Sequence, residues 1–124
     1  MKRFSEKYII TKGMEWEALG GGVSRKFLGY DNQIMMVSVK FEEGALGSPH
    51  QHFHTQATYC VSGKFEFEID GVKQIVVAGD GVYIEPNLLH SAICLEEGQL
   101  IDTFSPVRED FLSGDGVSYF RDKK

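Results

Sequence analysis

The chain has 124 residues, 42% hydrophobic and 25% charged, enough for one globular domain with a real core and unlike a disordered tail or a disulfide miniprotein. Thirteen Lys and Arg against 18 Asp and Glu leave a net charge of −5, the wrong sign for a partner held through phosphates, which argues against nucleic acid. No apolar stretch approaches the ~18 residues of a membrane span, and MKRFSEKYII carries basic residues with no apolar signal core behind them. We therefore expect a single domain over residues 1–124 that stays in the cytoplasm. Cys60 and Cys94 are too few for a secreted disulfide framework and lie in no C-x-x-C pair, so both are expected as buried small hydrophobes in a reducing compartment.

Fourteen Gly against 3 Pro, with short apolar runs between them, predict an all-β chain rich in turns. In chain order the strands fall near 7–11 (KYIIT), 22–30 (GVSRKFLGY), 34–41 (IMMVSVKF), 57–62 (ATYCVS), 64–70 (KFEFEID), 72–77 (VKQIVV), 82–84 (VYI), 90–95 (HSAICL) and 99–105 (QLIDTFS). KFEFEID is the clearest: Phe65, Phe67 and Ile69 alternate with Glu66, Glu68 and Asp70, so one face is apolar and the other wet. Asp70-Gly71 then closes a tight hairpin into VKQIVV, because a primed turn needs positive φ that Gly adopts freely. A single helical turn is expected over 108–112, after Pro106, and SGDGVSYFRDKK closes the chain as a strand or arm with a frayed basic end. Short strands with turn signals roughly every 8 to 12 residues fold as a sandwich or a closed barrel.

Three of the four histidines, His50, His52 and His54, lie within five residues, and the fourth, His90, opens a later strand. On an extended strand i and i+2 share a face, so His50 and His52 can aim two imidazoles at one spot, with Gln56 following at the same parity. That is ligand geometry for a metal ion; the competing reading is a polar loop decorated with histidines. Asp102 is the other oddity, since Asp is depleted in strands, yet it lies mid-strand on the face of Leu100 and Phe104. Buried near a cation, such a carboxylate is either a proton carrier or the ion-pair partner of Arg108. Thr58, Tyr59 and Tyr83 read equally well as packing or as pocket residues.

Counting outward from the histidines gives Gly44, five residues, His50, one, His52, three, Gln56, six, Gly63, and then Gly79, five residues, Glu85, four, His90, three, Cys94. This resembles the two motifs of the cupin superfamily, G-x5-H-x-H-x3,4-E-x6-G and G-x5-P-x-G-x2-H-x3-N. The first matches at every fixed position except the acid, replaced by Gln56; in the second, Glu85, Asn87 and Cys94 stand where Pro, Gly and Asn are usual. The resemblance implies a cupin jelly-roll barrel (a double-stranded β-helix), with motif 1 over 44–63 and motif 2 over 79–94. It also implies His50, His52, Gln56 and His90 as ligands of one divalent transition metal per chain: Ni, Mn, Fe, Zn or Co. Four neutral ligands leave the ion its full charge, which suits an anionic substrate at about two open octahedral positions. His54 is expected beside these ligands, supporting them or rimming the pocket.

The stretches MEWEALGGGVSRKFLGYDNQIMMVSVKFEEGA, YCVSGKFEFEIDG and LEEGQLIDTFSPVREDFL resemble the KdgF-type pectin-degradation cupins along nearly the whole chain. In that family the metal ligands are a His, His, Gln, His set, and a D-x-F-x-x-x-R signature carries function; the latter falls here on Asp102, Phe104 and Arg108. The resemblance implies linearisation of 4,5-unsaturated monouronates, released from pectin or alginate by lyases, to open-chain 4-deoxy-5-keto uronates. Asp102 would carry the proton, Arg108 would clamp the carboxylate of the small anionic sugar, and Phe104 would wall the ring. The alternatives are a metal-dependent dioxygenase or isomerase on another small anion, and a non-catalytic sugar-binding module, which usually sits beside a helix-turn-helix that this chain is not expected to hold. Edge strands need protection, so a homodimer through the N-terminal strands is expected.

Overall fold

The computed structural model describes residues 2–113 and 120–121. Its elements are β1 (Glu17–Gly20), β2 (Val23–Tyr30), β3 (Met35–Phe41), β4 (Leu46–His50), β5 (Thr55–Ile69), β6 (Val72–Val77), β7 (Gly81–Ile84), β8 (His90–Ser105), α1 (Glu109–Ser113) and β9 (Phe120–Arg121). Every strand pairing among the described residues is antiparallel.

Two long strands organise the molecule. The first half of β5 pairs with β7 and with the second half of β8, which continues through β3 and β2 to β1. The second half of β5 pairs with β6 and with the first half of β8, which is flanked by β4 and then β9. β5 and β8 therefore run together from one layer of the jelly roll into the other. Their inward side chains and those of β3 form the core: Met35, Val37, Val39, Phe41, Cys60, Phe65, Phe67, Cys94, Leu100 and Phe104 are buried. Phe41 of one layer meets Phe65 of the other edge to face, with centroids 5.3 Å apart. Both cysteines are buried and unbridged, as expected.

The turn chemistry of the Asp70-Gly71 hairpin is as read from the sequence, with φ of 50° and 82° and Ile69 opposite Val72. Other expectations are corrected. Segments 57–62 and 64–70 form one strand, as do 90–95 and 99–105, because Gly63 kinks β5 without ending it. Gly63 has φ of 85° and lies so close to β8 that an added Cβ would come 2.5 Å from Gly98 Cα. Residues 7–11 are not a strand: none of the described residues pairs with them, and Tyr8 and Ile10 are exposed. β1 and β4 were not anticipated, since EALG and LGSPH carry no strand pattern of their own and are ordered by their pairings. The helical turn is present one residue later than expected. Of the C-terminal arm, Phe120 and Arg121 pair with β4; positions 114–119 and 122–124 lie outside the described residues. Among the described residues no helix is long and apolar enough to cross a membrane.

Candidate metal centre

His50 ends β4 and stands in register opposite His90, the first residue of β8; His52 lies in the loop from β4 to β5, and Gln56 is the second residue of β5. The His50 and His90 rings are 4.3 Å apart by centroid, His52 and His90 4.9 Å, and His50 and His52 5.6 Å. One nitrogen from each ring lies within 4.8 Å of the others. Each ring is oriented by a nearby carbonyl. His50 Nδ1–H donates to Ser48 O (2.8 Å), His90 Nδ1–H to Leu88 O (2.9 Å) and His52 Nδ1–H to His54 O (3.1 Å). Those bonds leave the Nε2 atoms as the lone-pair bearers. His90 Nε2 is buried with no hydrogen-bond partner among the described residues, a placement that costs about 1–3 kcal/mol unless something fills it. Burial also holds the rings neutral: it lowers the pKa of His50 and of His52 to about 4, and those of His54 and His90 fall for the same leading reason. Three converging, neutral, metal-ready imidazoles fit a divalent transition cation.

Gln56 extends this cluster toward Asp102. Its Oε1 lies 3.0 Å from His52 Nε2, and its Nε2 donates to Thr58 Oγ1 at 3.0 Å. Thr58 in turn donates to Asp102 Oδ1 at 2.7 Å, the two residues being register partners on β5 and β8. Desolvation raises the Asp102 pKa from 3.8 to about 6, opposed by the Thr58 bond, by the charge of Arg108 and by Gln56. Phe104, two residues on and opposite Gln56, presents its ring edge to His52 with centroids 5.8 Å apart.

Arg108 is 1% exposed and follows β8 directly before α1. Its fork is held by Asp110, through Nε at 2.9 Å and Nη2 at 2.6 Å, and its guanidinium stacks on Phe104 and on Phe111 of α1. The ion pair that the sequence allowed between Asp102 and Arg108 is thus not the one formed; a partner two residues away reaches the fork at no loop cost. The cavity beside the histidines is lined by His50, Gln56, His90, Asp102, Phe104 and Arg108, closed by Phe111 and floored by Val39, Phe41, Phe67 and Leu100. His52 is buried. His54 binds through its ring to Val107 O at 3.2 Å and so ties the ligand loop to the segment that carries Arg108. Sequence reasoning left Thr58 undecided and missed Asp110 and Phe111. The parity of Thr58 with Gln56 was the available signal for the first; the helical turn beside Arg108 was the signal for the others. Tyr59 and Tyr83 point away and are exposed.

An antiparallel jelly roll with a histidine cluster beside a cavity is the architecture of a small β-barrel protein that could hold a metal ion. Residues 37–103 match the cupin domain family, and the chain belongs to that family. The pectin degradation protein KdgF of Dickeya dadantii (strain 3937) is 45% identical over 108 residues, 86% of this chain and 98% of the relative. An RmlC-like cupin from Shewanella frigidimarina NCIMB 400 superposes with a TM-score of 0.86 at 42% identity, covering 89% of this chain and 99% of that one. KdgF from Halomonas sp. superposes with a TM-score of 0.82 at 37% identity, covering 86% of this chain and 99% of that one. The KdgF resemblance read from the sequence is borne out over most of the chain.

Proposed function

We propose that the protein linearises 4,5-unsaturated monouronates to open-chain 4-deoxy-5-keto uronates. The observation that carries this reading is Asp102: a carboxyl on the cavity wall, with its pKa raised to about 6, in a chain 45% identical to a pectin degradation protein. A carboxyl with that pKa both accepts and returns protons near neutrality, which ring opening followed by tautomerisation requires.

As carboxylate, Asp102 takes the proton of the anomeric hydroxyl while the C1–O5 bond breaks. C1 becomes the aldehyde and the bonding pair stays on O5, leaving an enolate across C4 and C5. Asp102 then returns the proton to C4, so the product is a C5 ketone with a C4 methylene. Nothing is oxidised, reduced or lost. His50, His52, Gln56 and His90 would hold a divalent cation, whose charge stabilises oxyanions beside it. Arg108, its orientation set by Asp110, offers positive charge to the sugar carboxylate. Phe104 and Phe111 exclude water from the ring.

The test is the conjugated-alkene absorbance of unsaturated monouronates prepared with pectate and alginate lyases. Decay faster with the protein than without it, and without oxygen uptake, is the expected result. Identical decay for every substrate overturns the reading, and oxygen consumption would replace it with a dioxygenase.

A further inference from the structure

We infer that Thr58 is a positioning residue of the metal centre, its hydroxyl deciding which end of the Gln56 amide faces the histidines. The inference rests on the reading that Gln56 is a metal ligand. An amide presents an acceptor at one end and donors at the other, and only its neighbours choose between them. Here the choice propagates from Asp102. Thr58 Oγ1 donates to Asp102 Oδ1 at 2.7 Å, which uses its single hydroxyl proton. The oxygen lone pairs of Thr58 are then left for Gln56, which must turn its NH2 toward them at 3.0 Å. Gln56 Oε1 is thereby driven to the opposite side, 3.0 Å from His52 Nε2. Because His52 Nδ1–H is committed to the His54 carbonyl, that short approach sets two lone-pair atoms against each other. It is repulsive in a neutral protein and attractive when a cation lies between them. Gln56 and Thr58 are both buried, so water does not readily replace the hydroxyl. Without it the amide loses the acceptor at 3.0 Å and keeps only its weaker hold on the Asp102 carboxyl, so the turned amide, which offers N–H groups that repel a cation, becomes more populated.

The experiment titrates metal-free protein with Co(II) and reads both the dissociation constant and the visible d–d spectrum. Thr58→Val, isosteric without the hydroxyl, should weaken Co(II) binding about 10- to 100-fold, the usual range for groups that orient a ligand, and shift the spectrum toward that of Gln56→Leu. Thr58→Ser should restore both. Thr58→Ala serves in place of the valine variant if circular dichroism shows that Val disturbs the fold. Wild-type affinity and spectrum in a folded variant lacking the hydroxyl would overturn the role of Thr58 while leaving the metal centre standing. No Co(II) uptake by the wild type would overturn the metal centre and this inference together.

Discussion

At Asp102 the proposed proton carrier and a desolvated charge are the same carboxyl, and each role predicts its own consequence of one change. Asp102→Asn keeps the shape and an oxygen for Thr58 but cannot accept a proton, so the linearisation rate should drop about 10²-fold or more. Thermal stability should rise, because the desolvated charge is gone. Normal turnover would refute the assignment. The pH dependence has a sign that can be worked out. Asp102 is protonated to about pH 6 when folded against 3.8 when unfolded, so across that window folded protein binds the extra proton and stability falls as pH rises. His50 and His52 act oppositely. Their pKa values drop from 6.5 to about 4, so unfolded protein binds the extra protons and stability rises with pH across that range. Two histidines outweigh one carboxyl, and metal-free protein should therefore gain stability from about pH 4 to 6.5. The gain should be steeper in Asp102→Asn. Urea unfolding across this range measures both slopes, and equal slopes would mean that the carboxyl is not desolvated. Removing a ligand is more direct: His52→Ala or His90→Ala should lose most of the bound metal, read by elemental analysis of protein purified without a His-tag.

At the scale of elements, the crossing of β5 and β8 carries the site, since those two strands supply Gln56, Thr58, His90, Asp102 and Phe104. Their register depends on a glycine pair with no room for side chains. A Cβ on Gly63 would sit 2.5 Å from Gly98 Cα and 2.6 Å from Glu97 O, at a φ of 85°. Neither obstacle is a side chain that can step aside. Gly63→Ala should cost more than about 4 kcal/mol, in the range that marks a structural clash. Gly71→Ala has a similar φ of 82° but nothing within 4 Å, and should cost only about 1–2 kcal/mol. Denaturant midpoints of the two variants compare backbone strain alone with strain plus overlap; similar losses would show that the strands can separate locally.

For the whole molecule, an ion held by the folded chain and not by the unfolded one adds stability through mass action, about 2.7 kcal/mol at a concentration 100 times the dissociation constant. Chelator treatment should lower Tm by about 10 °C for a chain of this size, and restoring the divalent metal should reverse the loss. The same addition should leave Tm nearly unchanged in His52→Ala or His90→Ala. A wild-type Tm indifferent to chelator and metal would argue that the histidine cluster is a packing feature.

Short-range patterns were enough to make the fold class and the site legible in the sequence. Alternation in KFEFEID and the Asp70-Gly71 turn act within a strand or a turn, where backbone geometry dictates which side chains share a face; His50, His52, Gln56 and His90 were legible through their motif spacing, although β4, the loop after it, β5 and β8 supply them. Partners across the sheet were beyond that reach. That Thr58 meets Asp102, that Asp110 takes the fork of Arg108, and that β5 and β8 run unbroken past glycines that looked like breaks are matters of register and packing between segments far apart in the chain. Residues 7–11 show the converse: their strand-like pattern forms no strand, because a strand needs a neighbour and none of the described residues supplies one there. The sequence alone determined which chemical groups gather at the site. Only the tertiary structure decided how their protons and lone pairs are pointed, because each hydrogen bond in the relay from Asp102 through Thr58 to Gln56 depends on the one before it.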